Sequence, residues 1–206
     1  MTAGSRRSLL YRSPALYDLA MRVLYGRHHA ARLAAVADVV PQGASVLELC
    51  CGSGLLYRRH LKDRAARYTG LDYSPAFVAY VRRHGGDARR WDVRSALPLP
   101  AADVVVMQAS LYQFLPDPRP VLDRMLAAAR QRVIVAEPVR NLTSQHPRLR
   151  RLIGAATDAG TGTQEDRFDE AKLDALFVPY RDLVEEAFLI PGGREKAFVL
   201  RPSPSA

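Results

Sequence analysis

With 206 residues, of which 48% are hydrophobic and 25% charged, the chain has the length and balance of one globular domain with a substantial core, not of a disordered tail or a disulfide-stapled miniprotein. The formal charge of +9 invites a nucleic-acid partner, yet only Lys62, Lys172 and Lys196 are lysines and the arginines are scattered, so a basic solvated surface is the favoured reading. No apolar run approaches the ~20 residues of a membrane helix, and the adjacent Cys50 and Cys51 cannot staple distant segments, so the chain is expected to be cytoplasmic, neither exported nor membrane-spanning.

In chain order, residues 1–12 read as a basic lead. Ser13-Pro14 then supplies a cap and first-turn proline for a helix running to about Tyr25, where Gly26 stops it. His28 to Val40 places Leu33, Val36, Ala37 and Val40 on one helical face, and Pro41-Gln42-Gly43 turns the chain into a strand. The adjacent His28 and His29 point about 100° apart on a helix and lack an acid or thiol one turn on, so no metal site is expected.

Val46 to Gly54, V-L-E-L-C-C-G-S-G, has the form of a strand, a tight glycine turn and the start of a helix at Leu55. Gly52 and Gly54 allow a ligand to approach the backbone and make positive φ cheap. A second strand, Tyr68 to Asp72, ends in an acid eighteen positions after Gly54, and an acid at that tip suits a ribose diol.

A helix over Ser74 to Arg83 stops at Gly85-Gly86, and a short strand over Ala88 to Asp92 follows. Ala102 to Met107 is an almost continuous β-branched run, the mark of a parallel strand buried on both faces, so Gln108 to Gln113 should open into a ligand crevice. Pro118 to Arg130 reads as a helix and Arg132 to Glu137 as a strand. After a looser, Arg-rich stretch comes a short helix around Asp169 to Leu176. Two last strands, Asp182 to Ile190 and Glu195 to Arg201, are joined by Pro191-Gly192-Gly193-Arg194 as an antiparallel hairpin.

The pair E-L-C-C-G-S-G and G-L-D-Y-S-P resembles the cofactor site of class I S-adenosylmethionine-dependent methyltransferases, from about Val46 to about Arg140, with Cys50 standing where the family's first glycine usually does. The resemblance implies an α/β, Rossmann-like, doubly wound seven-stranded sheet with an antiparallel last strand and helices on both faces. It implies S-adenosyl-L-methionine as cofactor, held by Glu48, Cys50, Gly52, Gly54, Asp72, Tyr73, Asp92, Val93 and Gln108. Asp92 and Val93 match the family's adenine-binding motif, with Asp87 as the competing acid.

It further implies an N-terminal helical lid over residues 1–43, with Tyr11 and Tyr17 facing cofactor and substrate, although aromatic packing on the sheet accounts for those rings equally simply. A core over 44–201 would carry a substrate cap at about 139–168 that includes Arg148, and 202–206 would be a tail. On the acceptor side stand Gln108, Tyr112 and Gln113, none of them a strong base. The expected activity is methyl transfer to oxygen, nitrogen or carbon of a small molecule, of the kind secondary metabolism supplies, by a monomer or homodimer. A relative that binds the cofactor without transferring its methyl is the alternative, and a nucleic-acid methyltransferase is the weaker one, since the signatures of adenine-amino and cytosine-carbon enzymes are missing.

Overall fold

A computed structural model describes residues 13–65, 67–140 and 167–202. Tyr11, Arg148 and most of the expected cap lie outside them. Two helices open the described chain, α1 (Pro14–Tyr25) and α2 (His29–Asp38), followed by β1 (Ser45–Leu49), β2 (Arg67–Asp72), α3 (Pro75–Arg83), β3 (Asp87–Arg90) and β4 (Ala102–Gln108). Then come α4 (Arg119–Ala128), β5 (Ala129–Pro138), α5 (Glu170–Phe177), β6 (Val184–Leu189) and β7 (Glu195–Leu200).

The strands form one seven-stranded sheet in the order β3-β2-β1-β4-β5-β7-β6. β1 pairs in parallel with β2 on one side and β4 on the other, which makes the gap beyond their carboxyl ends a topological switch point. β7 runs antiparallel to both β5 and β6, closing the sheet with the hairpin that its glycine turn foretold.

Alternation along each strand sorts the core into two layers. Val46, Val104, Val106, Ile134 and Val199 meet Leu33, Val36 and Ala37 of α2, Val40 just beyond it, and Val78 and Val81 of α3. On the other face Leu47, Leu49, Val105, Met107, Val133 and Val135 meet Leu122 and Met125 of α4 and Leu173 and Phe177 of α5.

The structure departs from the expected elements in several places; β5 begins at Ala129, three residues before the expected Arg132, so Ala129 and Arg130 are strand and not the end of α4. The segment after Gly54 tightens only briefly before widening into a π-helical turn, Tyr57–Leu61, where Lys62 N donates to Tyr57 O at 2.9 Å; both Tyr57 and Leu61 stay buried. β3 ends at Arg90, two residues short of the expectation, which leaves Asp92 in the loop beyond it.

α2 packs its apolar face into the first core layer. Arg32 forms a buried ion pair with Glu195, the first residue of β7, through three contacts of 2.7 to 3.0 Å, and Tyr25 donates its hydroxyl to the same carboxylate at 2.7 Å. α1 lies over the glycine turn, where Asp18 meets Ser53.

Candidate cofactor and acceptor site

β1 delivers the chain to Cys50 at φ +52, and β4 delivers its neighbour to Ala109 at φ +50. Leu49 pairs with Met107, so both left-handed residues lie at the same end of the sheet, Cys50 level with Gln108 and Ala109 one residue beyond. Each costs about 1–3 kcal/mol relative to a relaxed backbone, a kind of strain that gathers at functional sites. Position 50 is the one where a glycine would sit without strain, which explains why the resembling family prefers it there.

The turn that follows is braced by Asp72. Its Oδ2 accepts the Gly52 amide at 2.8 Å and its Oδ1 accepts the Ser74 amide at 2.7 Å. One amide at each oxygen leaves free lone pairs on a carboxylate that is 9% exposed, so the group can still accept further hydrogens. Burial raises its pKa, while the Ser74 and Gly52 amides pull it back.

The two turn glycines have different roles. A side chain on Gly54 (φ +66) would come within 2.8 Å of Val81, so this glycine lets the turn close against α3. At Gly52 (φ +54) the space is open as far as the Tyr17 ring at 3.9 Å.

That ring belongs to α1, which is fastened over the turn. Asp18 accepts the Ser53 hydroxyl with one oxygen and the Arg58 guanidinium with the other, and Arg58 Nε also donates to Ser53 O at 3.2 Å. Tyr17 itself packs edge-on against Phe77 of α3 with ring centroids 5.2 Å apart.

Glu48 is buried on the α2 face of the sheet. It accepts the Tyr68 hydroxyl at 2.6 Å, and Tyr68 stacks on Tyr57. Burial pushes its pKa up to about 7 against the pull of that hydrogen bond, with Asp72 adding to the rise.

Beyond β3, Asp92 Oδ1 accepts the Arg94 amide at 2.9 Å and Val93 is buried. Asp87 begins β3, three residues before the position paired with Asp72, and its carboxylate is engaged by Thr69 and Arg89. Of the two acids, Asp92 is therefore the one at the crevice end. Tyr73 is half exposed, its ring 5.4 Å from the Arg90 guanidinium.

On the β4 side, Gln108 donates to Arg32 O at 3.3 Å. The short helical turn Leu111–Phe114 carries Tyr112 and Gln113, and it is held by an acid from β5: Glu137 accepts the amides of Ser110 and Leu111 at 2.6 and 2.7 Å and that of Tyr112 at 3.4 Å. Burial pushes Glu137 up to about 7, with the three amides opposing. Over the Tyr112 ring, at 4.6 Å, stands the Arg167 guanidinium. Burial raises the Tyr112 phenol, with Arg167 pulling the other way, and burial raises Tyr17 well above the ordinary phenol range.

Asp18, Arg58, Glu137 and Arg167 were not singled out from the sequence. Glu137 carries a faint signal, an acid between a buried strand and a proline; the others carry none, because their partners are 35 or more positions away. Both cysteines are free thiols, and among the described residues no three His, Cys, Asp or Glu side chains gather as a metal-ligating group. No helix among them is long and apolar enough to cross a membrane.

Residues 46–133 match the methyltransferase domain family. The chain is 35% identical over 102 residues to 2-phytyl-1,4-naphtoquinone methyltransferase of Thermosynechococcus vestitus, covering 47% of this chain and 45% of that one. It is 42% identical over 81 residues to trans-aconitate 2-methyltransferase of Rhodococcus jostii, covering 38% and 31%. The match thus spans less than half the length of either curated relative.

Among solved structures, magnesium protoporphyrin IX methyltransferase from Synechocystis PCC 6803 with bound SAH superposes with a TM-score of 0.64 at 16% identity, covering 95% of this chain and 98% of that one. A chain of the Haloferax volcanii complex between the Trm112 methyltransferase activator and a methyltransferase gives 0.69 at 19%, covering 96% and 99%. At these identities the likeness is one of fold.

Proposed function

We propose that this chain, whose residues 46–133 match the methyltransferase domain family, transfers the methyl group of S-adenosylmethionine to a small-molecule acceptor. The observation that carries the reading is the Asp72 carboxylate, set at the switch point with lone pairs to spare and bonded to the amide of the open glycine turn. Such an arrangement fits a ribose diol on the acid and a cofactor tail along the turn.

Asp72 would accept the ribose hydroxyls, and Gly52 with Cys50 would border the tail. Glu48 would act on the cofactor's amino group through the turn. Tyr73, Asp92 and Val93 would border the adenine, and Gln108 would close the floor. S-adenosylmethionine supplies an electrophilic methyl on a sulfonium, so the chain's own task is alignment, which is worth ~7 to 11 kcal/mol when the reacting atoms are held in line. Tyr112 and Gln113 would orient the acceptor from below while α1, through Tyr17, excludes water from above.

Neither Tyr17 nor Tyr112 is a base at neutral pH, because burial raises both phenols. An acceptor whose nucleophile forms without help from the protein, a phenolate, thiolate, carboxylate or neutral amine, therefore suits the site better than an aliphatic alcohol. The same observation favours one other reading, a protein that binds the cofactor without transferring its methyl.

The small-molecule reading is supported by what the two curated relatives are named for, a naphthoquinone and an aconitate. A cytoplasmic monomer or homodimer is the form proposed. Incubation with isotopically methyl-labelled cofactor, a panel of such acceptors and a nucleic-acid control tests the proposal. Label should enter a small molecule; cofactor binding with no demethylated product across the panel would replace it by the non-transferring reading.

A further inference from the structure

A second cavity opens beside the crevice, on the face of the sheet that α4 and α5 cover. Its volume is about 440 Å³, within the range of small-molecule sites. Leu115 and Pro116, which directly follow the turn bearing Tyr112, form one side, and Phe168 and Leu176 form another.

Three cations line this apolar space, Arg119, Arg167 and Lys172, against a single lining acid, Asp117. Asp117 is already taken by Arg119 at 2.7 Å. Lys172 has only a loose contact, 3.8 Å, to Asp169, with both side chains more than half exposed. Arg167 differs from both: among the described residues no carboxylate lies within ion-pairing distance of it, and its guanidinium rests on the Tyr112 ring.

A half-buried guanidinium beside an apolar cavity, with no ion-pair partner among the described residues, is suited to a carboxylate brought by a ligand, because a planar fork matches that group with two parallel bonds. The ring beneath it belongs to the residue that faces the acceptor in the reading above. Resting on that reading, we propose that the cavity is the acceptor's anchoring subsite. It takes a molecule with an apolar or aromatic body and a carboxylate, the carboxylate on Arg167 with support from Lys172, so that the rest of the molecule is directed past Tyr112 toward the crevice.

Two probes of one shape separate charge from bulk: 2-naphthoate and 2-naphthalenemethanol, titrated into the full chain by calorimetry. The naphthoate should bind at least about tenfold more tightly than the alcohol. Arg167→Gln should weaken the naphthoate by about fivefold or more and leave the alcohol unchanged, whereas Ala175→Trp, which fills the cavity from an exposed lining position, should weaken both. Equal binding of the two probes, no binding of either, or indifference of the naphthoate to Arg167→Gln would each overturn the proposal. Binding of S-adenosylmethionine, measured on the same samples, keeps the two readings apart: its failure would remove the methyltransferase reading while the charge discrimination still decides the cavity.

Discussion

Gly52 donates its amide to Oδ2 of Asp72 at 2.8 Å, so the acid proposed to hold the ribose also braces the turn that borders the cofactor. Asp72→Ala should lose both. Charge-assisted hydrogen bonds contribute about 1.5–3 kcal/mol each, so affinity for S-adenosylmethionine should fall by more than about tenfold, together with a drop in melting temperature. Asp72→Asn keeps an acceptor for one amide and should fall between. Unchanged affinity by calorimetry in a folded Ala variant would remove the ribose role.

Asp18 fastens α1 over the turn through Ser53 and Arg58. Asp18→Ala should leave the sheet intact and speed cofactor release several-fold, since a cover that opens more often retains less. Stopped-flow release rates give the first readout. Hydrogen exchange over residues 14–25 gives the second, and protection there equal to wild type would show that the latch is not what holds the helix.

Pattern alone made the sheet legible. β4 reads as buried on both faces because Val104 and Val106 belong to one layer and Val105 and Met107 to the other, and the Gly192-Gly193 turn announces the terminal hairpin. The cofactor motif was legible because the turn and Asp72 lie twenty positions apart with fixed chemistry. What could not be read was long-range polar pairing. Arg32 meets Glu195 across 163 positions and Arg167 reaches Tyr112 across 55, and neither arginine differs in sequence context from the exposed ones. An amphipathic helix such as α2 reads the same whether it covers a ligand or a sheet.

Glu137 carries a pH dependence with a definite sign. Burial raises its folded pKa to about 7, above the ordinary carboxyl value, so the folded state binds the extra proton between ~4.5 and 7. Its contribution to stability is fully present below ~4.5 and is lost as pH rises through 7, by up to about 3 kcal/mol. Glu137→Gln cannot titrate, so it should gain on wild type by about that order between pH 5 and 8. Denaturation curves at four or five pH values check this, and parallel curves for the two proteins would mean that Glu137 stays ionised throughout.

Cys50 holds φ +52 with a side chain packed at the edge of the second core layer. Glycine there gives up that packing and relieves the strain, two effects of about 1 kcal/mol that offset, so Cys50→Gly should be close to wild type in stability. A β-branched residue is strongly disfavoured at such φ, and Cys50→Val should cost ~2–3 kcal/mol. Guanidinium denaturation separates the two outcomes, and equal stability of both variants would show that the turn relaxes out of the left-handed region.

The N-terminal helices should part company when they are removed. Deleting residues 1–22 takes most of α1 with its Asp18 latch and leaves Tyr25 and α2 in place; the protein should stay folded, bind S-adenosylmethionine more weakly and lose turnover with its cover. Deleting 1–43 also takes Leu33, Val36, Ala37 and Val40 out of the core and leaves Glu195 buried without Arg32, so that protein should not fold. The ion pair can be isolated by substitution. Arg32→Leu strands the carboxylate and should cost about 3–5 kcal/mol, whereas Arg32→Leu combined with Glu195→Leu removes both charges and should recover most of it, because what costs is the unpaired buried charge and not the loss of the pair. Circular dichroism and denaturation of the four proteins decide the matter: a folded 44–206 fragment would return α2 to the lid, and a double variant no better than Arg32→Leu alone would show that the pair itself stabilises the contact between α2 and β7.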